Sequence, residues 1–439
     1  MAKAGLVLLI LVSVAVLSPA AAQDDESKIK LKELSKGIEN FSLSILFRSF
    51  LDLKGTNVLI SPFSVWSMLA VLSQGAAGNS ITKDEMLGVL GYNPSKKYKD
   101  PAEAYSKLSP YFLVKTPTVE LETINSIFCS KDARIIPNFV QRVQSIFNTK
   151  MTTLDFSSPS AASTINNAIY QATRGKIDEI VNSEDLKDSV MILTNAIFFK
   201  GQWTRPFNSS ETTTAPFFDE QNREVGKVRM MFQRSPLPYA NIQEFKSHVV
   251  ELPYGQASCK SYEDDPSTCT PSTNPSGKRE ENRLSMVIIL PHRGVPLAEV
   301  MRLTPEISVA NMFTALKAAA EEYEDDEVDI YLPRFKVTSD LVLNKVLTEM
   351  GVYEVFNPSY ADLSNMSNTP NLHLSRVIHK ATIEVTEEGT VASAVTAGEL
   401  SNRNTPPKFN ANRPFIYLLI EKSTNVILFG GSYVKPSFF

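Results

Sequence analysis

The chain has 439 residues, 43% of them hydrophobic and 21% charged, with a formal net charge of −4. That balance belongs to a globular protein with apolar residues enough for one large core, and no Gly/Ser linker or break in composition divides it. The nearest approach to a basic cluster, Lys96-Lys97-Tyr98-Lys99, is short and interrupted, so no nucleic-acid partner is expected.

Met1-Ala2-Lys3, the apolar run 5–17 and Ser18-Pro19-Ala20-Ala21-Ala22 have the charged, apolar and small-residue sections of a secretory signal. Residues 1–22 are therefore expected to be a signal peptide cleaved after Ala22, leaving 23–439 as a single exported domain. The apolar run is too short to span a bilayer and no later segment approaches that length, so no membrane role is expected.

Residues 38–47 carry helical apolar spacing. A short strand at 57–60 meets Ser61-Pro62, an N-cap with proline at the first helical position, and 63–72 continues as a buried helix. Gly75-Ala76-Ala77-Gly78 reads as its terminus. Another helix spans 163–174 and stops at Gly175. Strands are predicted at 190–199, 284–290, 328–337 and 377–385, followed by a C-terminal hairpin turning near 423–425. The pattern predicts an α+β fold with large, mostly antiparallel sheets and about eight to nine helices.

Export makes the cysteines informative. Cys259 and Cys269 lie in a polar insertion, residues 256–283, and in an oxidising compartment their pairing would close a loop worth about 2–3 kcal/mol. Cys129, in Ile127-Phe128-Cys129, is expected to be a buried free thiol. Three cysteines and four histidines show no zinc spacing, so no metal site is expected. Asn208 and Asn365 head sequons suited to glycosylation, whereas Asn40-Phe41-Ser42 falls in a helical stretch and is expected to be masked.

No Gly-x-Ser-x-Gly elbow, His-Glu-x-x-His, P-loop or dinucleotide fingerprint occurs, and the acidic run 321–327 reads as a solvated surface. An enzyme is not expected. The most informative stretch is Glu387-Glu388-Gly389-Thr390-Val391-Ala392-Ser393-Ala394-Val395-Thr396, which is small and β-capable without being apolar enough for a core. Entering a sheet, Thr390, Ala392, Ala394 and Thr396 would share one face by the period-two rule. A flexible loop is the alternative.

The following Pro406-Pro407, then Arg413-Pro414-Phe415 opening an apolar strand, give this region its family likeness: it resembles the reactive loop of the serpins. Similar matches lie at 57–64, at Ile124-Asn125-Ser126-Ile127-Phe128, at Leu193-Thr194-Asn195-Ala196-Ile197-Phe198-Phe199-Lys200-Gly201-Gln202-Trp203, at Val249–Tyr254 and at 284–291. The likeness covers about residues 36–438, and the 256–283 insertion departs from it.

The resemblance implies a suicide inhibitor of serine proteases that traps the acyl-enzyme by inserting its cleaved loop, residues 387–410, as a strand in the central sheet. By the family's interval, sixteen steps from Glu387 reach Arg403, so the implied reactive bond is Arg403-Asn404 and the implied partner a trypsin-like serine protease, bound covalently. Ser61, Ser64, Asn195 and His379 match the family's shutter beneath the sheet opening; Trp203, Arg334 and Glu387 match its breach, where Arg334 would pair with Glu387. The hinge residues are Glu387, Gly389, Thr390, Ala392, Ala394 and Thr396. A secreted monomer without a cofactor is expected, with a non-inhibitory carrier, chaperone or storage serpin as the alternative.

Overall fold

The computed structural model describes residues 19–92, 100–112, 114–175, 177–255, 283–303, 308–322, 327–390 and 406–436. In chain order the first elements are α1 (Pro19–Asp52), β1 (Val58–Ile60), α2 (Pro62–Gly75), α3 (Ile81–Val89), α4 (Pro101–Leu108), β2 (Val114–Lys115), β3 (Val119–Ser130) and α5 (Pro137–Phe147). Then come β4 (Lys150–Leu154), α6 (Ala161–Ala172), α7 (Ser183–Leu186), β5 (Met191–Gln202), β6 (Thr213–Phe218), β7 (Glu224–Ser235), β8 (Tyr239–Ile242) and β9 (Ser247–Pro253). The remainder is β10 (Leu284–Pro291), α8 (Leu297–Leu303), α9 (Val309–Glu322), β11 (Val328–Pro333), β12 (Phe335–Val342) and α10 (Asn344–Met350). It ends with β13 (Arg376–Val385), β14 (Gly389–Thr390), β15 (Lys408–Asn410), β16 (Phe415–Glu421) and β17 (Val426–Tyr433).

Among the described residues three sheets form. A six-stranded sheet runs β1-β17-β16-β10-β9-β8, a four-stranded one β15-β11-β7-β6, and a seven-stranded one β12-β13-β5-β3-β2, with β14 added on β5 and β4 on β3. The α+β architecture is as expected. Pairing is antiparallel except at β13–β5, β3–β4 and β11–β15.

Every residue of β10, β16 and β17 is buried, because the six-stranded sheet is covered on both faces. The helix α2 packs against β17 and β5 and is buried along nearly its whole length; Ser61 caps its N-terminus and Pro62 opens it. By contrast β12 alternates buried and exposed residues, as a half-solvated edge strand does.

One expectation changes. The predicted strand 328–337 is two strands in different sheets, β11 and β12. Pro333 has no N–H for a ladder, and the Arg334 N–H turns aside to the Arg229 carbonyl at 2.7 Å, so the chain leaves one sheet and enters another. Among the described residues ten α-helices form, in keeping with the expected fold; one of them, α7, is a four-residue turn held by reciprocal caps between Asn182 and Asp185. Such a turn has no apolar period to reveal it.

Candidate functional site

In the seven-stranded sheet β13 lies parallel to β5, paired from Arg376↔Ile192 to Ala381↔Ile197. Beyond that point the two strands part. Each keeps its outer partner: β13 stays on β12 as far as Val385↔Phe335, and β5 stays on β3 as far as Gly201↔Val119. The result is a seam closed at one end and open at the other, with the mouth flanked by residues 198–202 and 382–385. Into that mouth β14 turns, antiparallel to β5, pairing Gly389 with Gln202 and Thr390 with Gly201.

A tight turn makes this entry. The Thr386 N–H donates to the Gly389 carbonyl at 2.8 Å, the Gly389 N–H returns to the Thr386 carbonyl at 3.2 Å, and the Thr386 hydroxyl donates to the Gly389 carbonyl at 2.9 Å. Gly389 has φ +127°, a conformation few other residues adopt.

Trp203 holds the turn from the other side. Its backbone N–H donates to the Glu388 carbonyl at 2.9 Å and its indole Nε1 to the Thr386 carbonyl at 3.0 Å. The indole stacks on Tyr254 with ring centroids 4.3 Å apart, and Tyr254 meets Phe199 edge-on at 4.9 Å. Gly201 leaves room for this group, since a Cβ there would lie 2.6 Å from both rings.

Beside the turn, Arg334 Nε lies 3.5 Å from Glu387 Oε2. Thr212 adds a hydrogen bond to Glu387 Oε1 at 2.8 Å, and the Phe207 N–H donates to the Glu387 carbonyl at 2.7 Å. Next door, Glu388 Oε2 is buried and finds no hydrogen-bond partner among the described residues. Burial, with Glu387 beside it, raises the Glu388 carboxyl above its ordinary range.

Under the closed part of the seam lies the polar cluster. His379 is fully buried; its Nε2 accepts the Ser61 N–H at 3.0 Å and its Nδ1 meets Asn195 Oδ1 at 2.9 Å. Asn195 Nδ2 donates to Asn125 Oδ1 at 2.7 Å, Asn125 Nδ2 to Ser67 Oγ at 2.8 Å, and Ser67 Oγ to the Ser64 carbonyl at 2.8 Å. Ser61 and Ser64 hydroxyls close the ring at 2.8 Å. One chain of hydrogen bonds therefore ties β13, β5, β3 and the start of α2 together. Its geometry requires a neutral imidazole, and burial pulls the His379 pKa down to about 3.

Of the expected residues, Ser61, Ser64, Asn195 and His379 meet in one cluster, and Trp203, Arg334, Glu387 and Gly389 in another; the backbone of Thr390 lies in β14. Ala392, Ala394, Thr396, Arg403, Asn404, Cys259 and Cys269 lie outside the described residues. Cys129 is buried and free, its thiol pushed up to about 12 by burial. Asn208 is exposed, as is Asn365, although the Asn365 Nδ2 donates to the Ala76 carbonyl at 2.8 Å. Asn40 is exposed rather than masked, while Ser42 of its sequon is buried.

Asn125, Ser67, Thr212 and Tyr254 belong to the site without having been singled out from sequence. Asn125 alone carried a signal: it is an amide in a β-rich run, and it faces Asn195 directly in the β3–β5 register.

The family model described as Serpin (serine protease inhibitor) matches residues 36–436. Leukocyte elastase inhibitor of Xenopus laevis is 32% identical over 413 residues, covering 92% of this chain and all of that protein. The macrophage plasminogen activator inhibitor 2 of Mus musculus is 28% identical over 446 residues, with 92% of this chain and all of that one covered. Among solved structures, human thyroxine-binding globulin superposes with a TM-score of 0.76 at 26% identity, over 93% of this chain and all of that one. Human glycosylated kallistatin gives 0.77 at 25% identity, over 94% of this chain and 99% of that one. With a half-open seam, a hinge seated in its mouth and a family match across most of its length, the chain belongs to the serpin family.

Proposed function

We propose that this serpin is a secreted suicide inhibitor of trypsin-like serine proteases. One observation carries the reading: Gly389 and Thr390 already pair with Gln202 and Gly201 at the mouth of a seam whose strands separate above Ala381 and Ile197. A strand continuing from Thr390 would run antiparallel to both β5 and β13, since those two are parallel to each other. Val391 to Thr396 are small or β-branched and free of charge, so nothing in them resists entry.

The target protease supplies the chemistry. Its serine would attack the Arg403 carbonyl, expel the Asn404 amine and leave Arg403 as an acyl ester; the guanidinium would pair with an aspartate in the specificity pocket. Before water completes hydrolysis, the freed loop would extend β14 down the seam and carry the tethered protease with it. About ten new backbone hydrogen bonds at a net ~1 kcal/mol each give on the order of 10 kcal/mol, comparable with the whole stability of a typical domain. The uncleaved protein is then held by a barrier, with the His379–Asn195–Asn125 chain of bonds among its ties.

Relatives named as elastase and plasminogen activator inhibitors support an inhibitory role. The arginine bait moves the expected specificity toward trypsin-like enzymes. Signal-peptide removal after Ala22, a Cys259–Cys269 bond, glycans on Asn208 and Asn365, and a monomeric state complete the proposal. A carrier role has a structural relative in thyroxine-binding globulin, solved in complex with thyroxine, but the small, uncharged hinge residues favour inhibition. Incubation with trypsin separates the two: an inhibitor gives an SDS-resistant complex of the two chains, whereas cleaved chain alone would overturn the proposal.

A further inference from the structure

Only His379 of the four histidines belongs to the seam, and two of the others, His248 and His292, meet elsewhere in the fold. His248 lies on β9 and His292 just past β10, and their rings meet edge to face with centroids 4.8 Å apart. His248 Nδ1 shares a hydrogen bond with the Tyr239 hydroxyl at 2.9 Å, and the two rings stack. His292 Nε2 donates to Asn241 Oδ1 at 2.7 Å. Tyr239 in turn meets the edge of Phe409, the buried central residue of β15. A row of four rings, His292, His248, Tyr239 and Phe409, thus leads from the edge of one sheet to the short strand that receives the end of the reactive loop.

Arg413 completes the arrangement. Its Nη2 donates to the Pro291 carbonyl at 2.6 Å and its Nη1 to the Asn410 carbonyl at 3.3 Å, so one guanidinium staples the end of β15 to the end of β10. Its Nε is buried without a partner among the described residues. The strand it secures is slight: β15 has three residues, all at the edge of its sheet, paired with Asp329, Ile330 and Tyr331.

The charged surroundings of the histidines are mainly positive. His248 feels His292 and Arg413, and His292 feels Arg413, to which Arg293 is also close. Lys246 gives its carbonyl to the His292 N–H, and its ammonium is matched by Glu299 of α8. Tyr239 and Asn241 of β8 face the rings as neutral groups.

We propose that His248 and His292 form an acid-sensitive latch, whose protonation sets like charges against Arg413 and frees β15 from β11. At neutral pH both rings are uncharged, because burial and the neighbouring cations lower their pKa values from the ordinary 6.5. On acidification the new charges act on the residue that holds both strand ends. Loosening Arg413 leaves β15 with only its short ladder and Phe409.

The latch is read at β15 itself and does not depend on the loop being inhibitory. Hydrogen exchange of the full chain would follow two amides that span the junction: Asp329, which donates to the Pro407 carbonyl, and Ala411, which donates to the Tyr331 carbonyl. Rates at about pH 7.5 and about pH 5.5, corrected for intrinsic exchange, give the protection of each. Protection should fall by about tenfold or more in the parent while β16 and β17 amides keep theirs, and by less than about threefold in the His248→Gln/His292→Asn variant. His292→Asn alone, at the more open end of the row, should give an intermediate loss and serves if the double variant does not fold. Equal losses in parent and variants, or no loss in the parent, would overturn the latch.

Discussion

Gly389 and Gly201 meet at the mouth of the seam so closely that a Cβ on Gly389 would stand 2.2 Å from the Gly201 carbonyl oxygen. With φ at +127°, Gly389 also occupies backbone space that side chains disfavour. Both restrictions belong to the uncleaved state. Once the loop is inserted, the same residue would lie in an extended ladder where alanine is tolerated. Gly389→Ala should therefore destabilise the native protein by about 1–3 kcal/mol and leave the cleaved form almost unchanged. Thermal unfolding of each form checks this; equal losses in both would show that the turn is not released on cleavage.

The His379 cluster makes a prediction about pH. The free imidazole titrates at 6.5 and the buried one at about 3, so between those values the unfolded chain binds the proton that the folded chain excludes. Stability is therefore fully present above about pH 6.5 and falls as the pH drops toward 3, by an amount on the order of a few kcal/mol. His379→Gln should lower stability at neutral pH by about 1–3 kcal/mol, because Ser61 N–H and Asn195 Oδ1 lose their fitted partner. It should also flatten the part of the acid slope due to this residue. Urea unfolding of both proteins from neutral pH down to about pH 4.5 gives the comparison, and parallel slopes would exclude His379 as the titrating group.

Much of this site was legible because its residues stand out chemically from their strands. His379 and Asn195 are polar groups in apolar β-runs, and Gly389 follows two glutamates just before a run of small residues. Arg334 was legible only through family likeness; its position is a break between two sheets, which the continuous β-pattern of 328–337 concealed. Thr212 gave no signal, since a threonine in a polar turn is ordinary in itself, and Tyr254 stood only as the end of a strand segment with family likeness. Their roles come from long-range packing, which brings Thr212 onto Glu387 and Tyr254 onto Trp203. The hydrogen-bonded ring through Ser67 was equally hidden, because α2 is buried almost throughout and its serines read as fillers.

Specificity gives a third prediction. Arg403 follows Glu387 by sixteen residues and precedes Pro414 by eleven. If its guanidinium is the group held by the protease pocket, Arg403→Ala should slow inhibition of trypsin by a factor of about 100 or more, consistent with loss of a charge-assisted bidentate contact of at least ~3 kcal/mol. The unfolding transition should not move if Arg403 serves recognition alone. Rate constants for trypsin inhibition by parent and variant decide it; equal rates would shift the reactive bond elsewhere in the loop.

The hinge gives the most demanding test. Thr390 is the last residue of β14, already paired with Gly201, so it leads the small-residue face into the sheet. An arginine at this position would carry a long cation into the seam beside β13 without a matched carboxylate, at a desolvation cost of several kcal/mol. In the proposed mechanism that cost would fall on insertion, the step that races hydrolysis of the acyl ester. Attack on Arg403, thirteen residues further on, should be unaffected, so the protease would still bind and cleave, but deacylation would win the race. Thr390→Arg should thus turn the proposed inhibitor into a substrate, cut after Arg403, with little covalent complex and without the gain in heat stability that insertion would confer. Gel analysis of the trypsin reaction and thermal unfolding of the cleaved product read the two outcomes separately. If the variant still traps trypsin at nearly one to one, entry through Thr390 is not the route by which this loop joins the sheet.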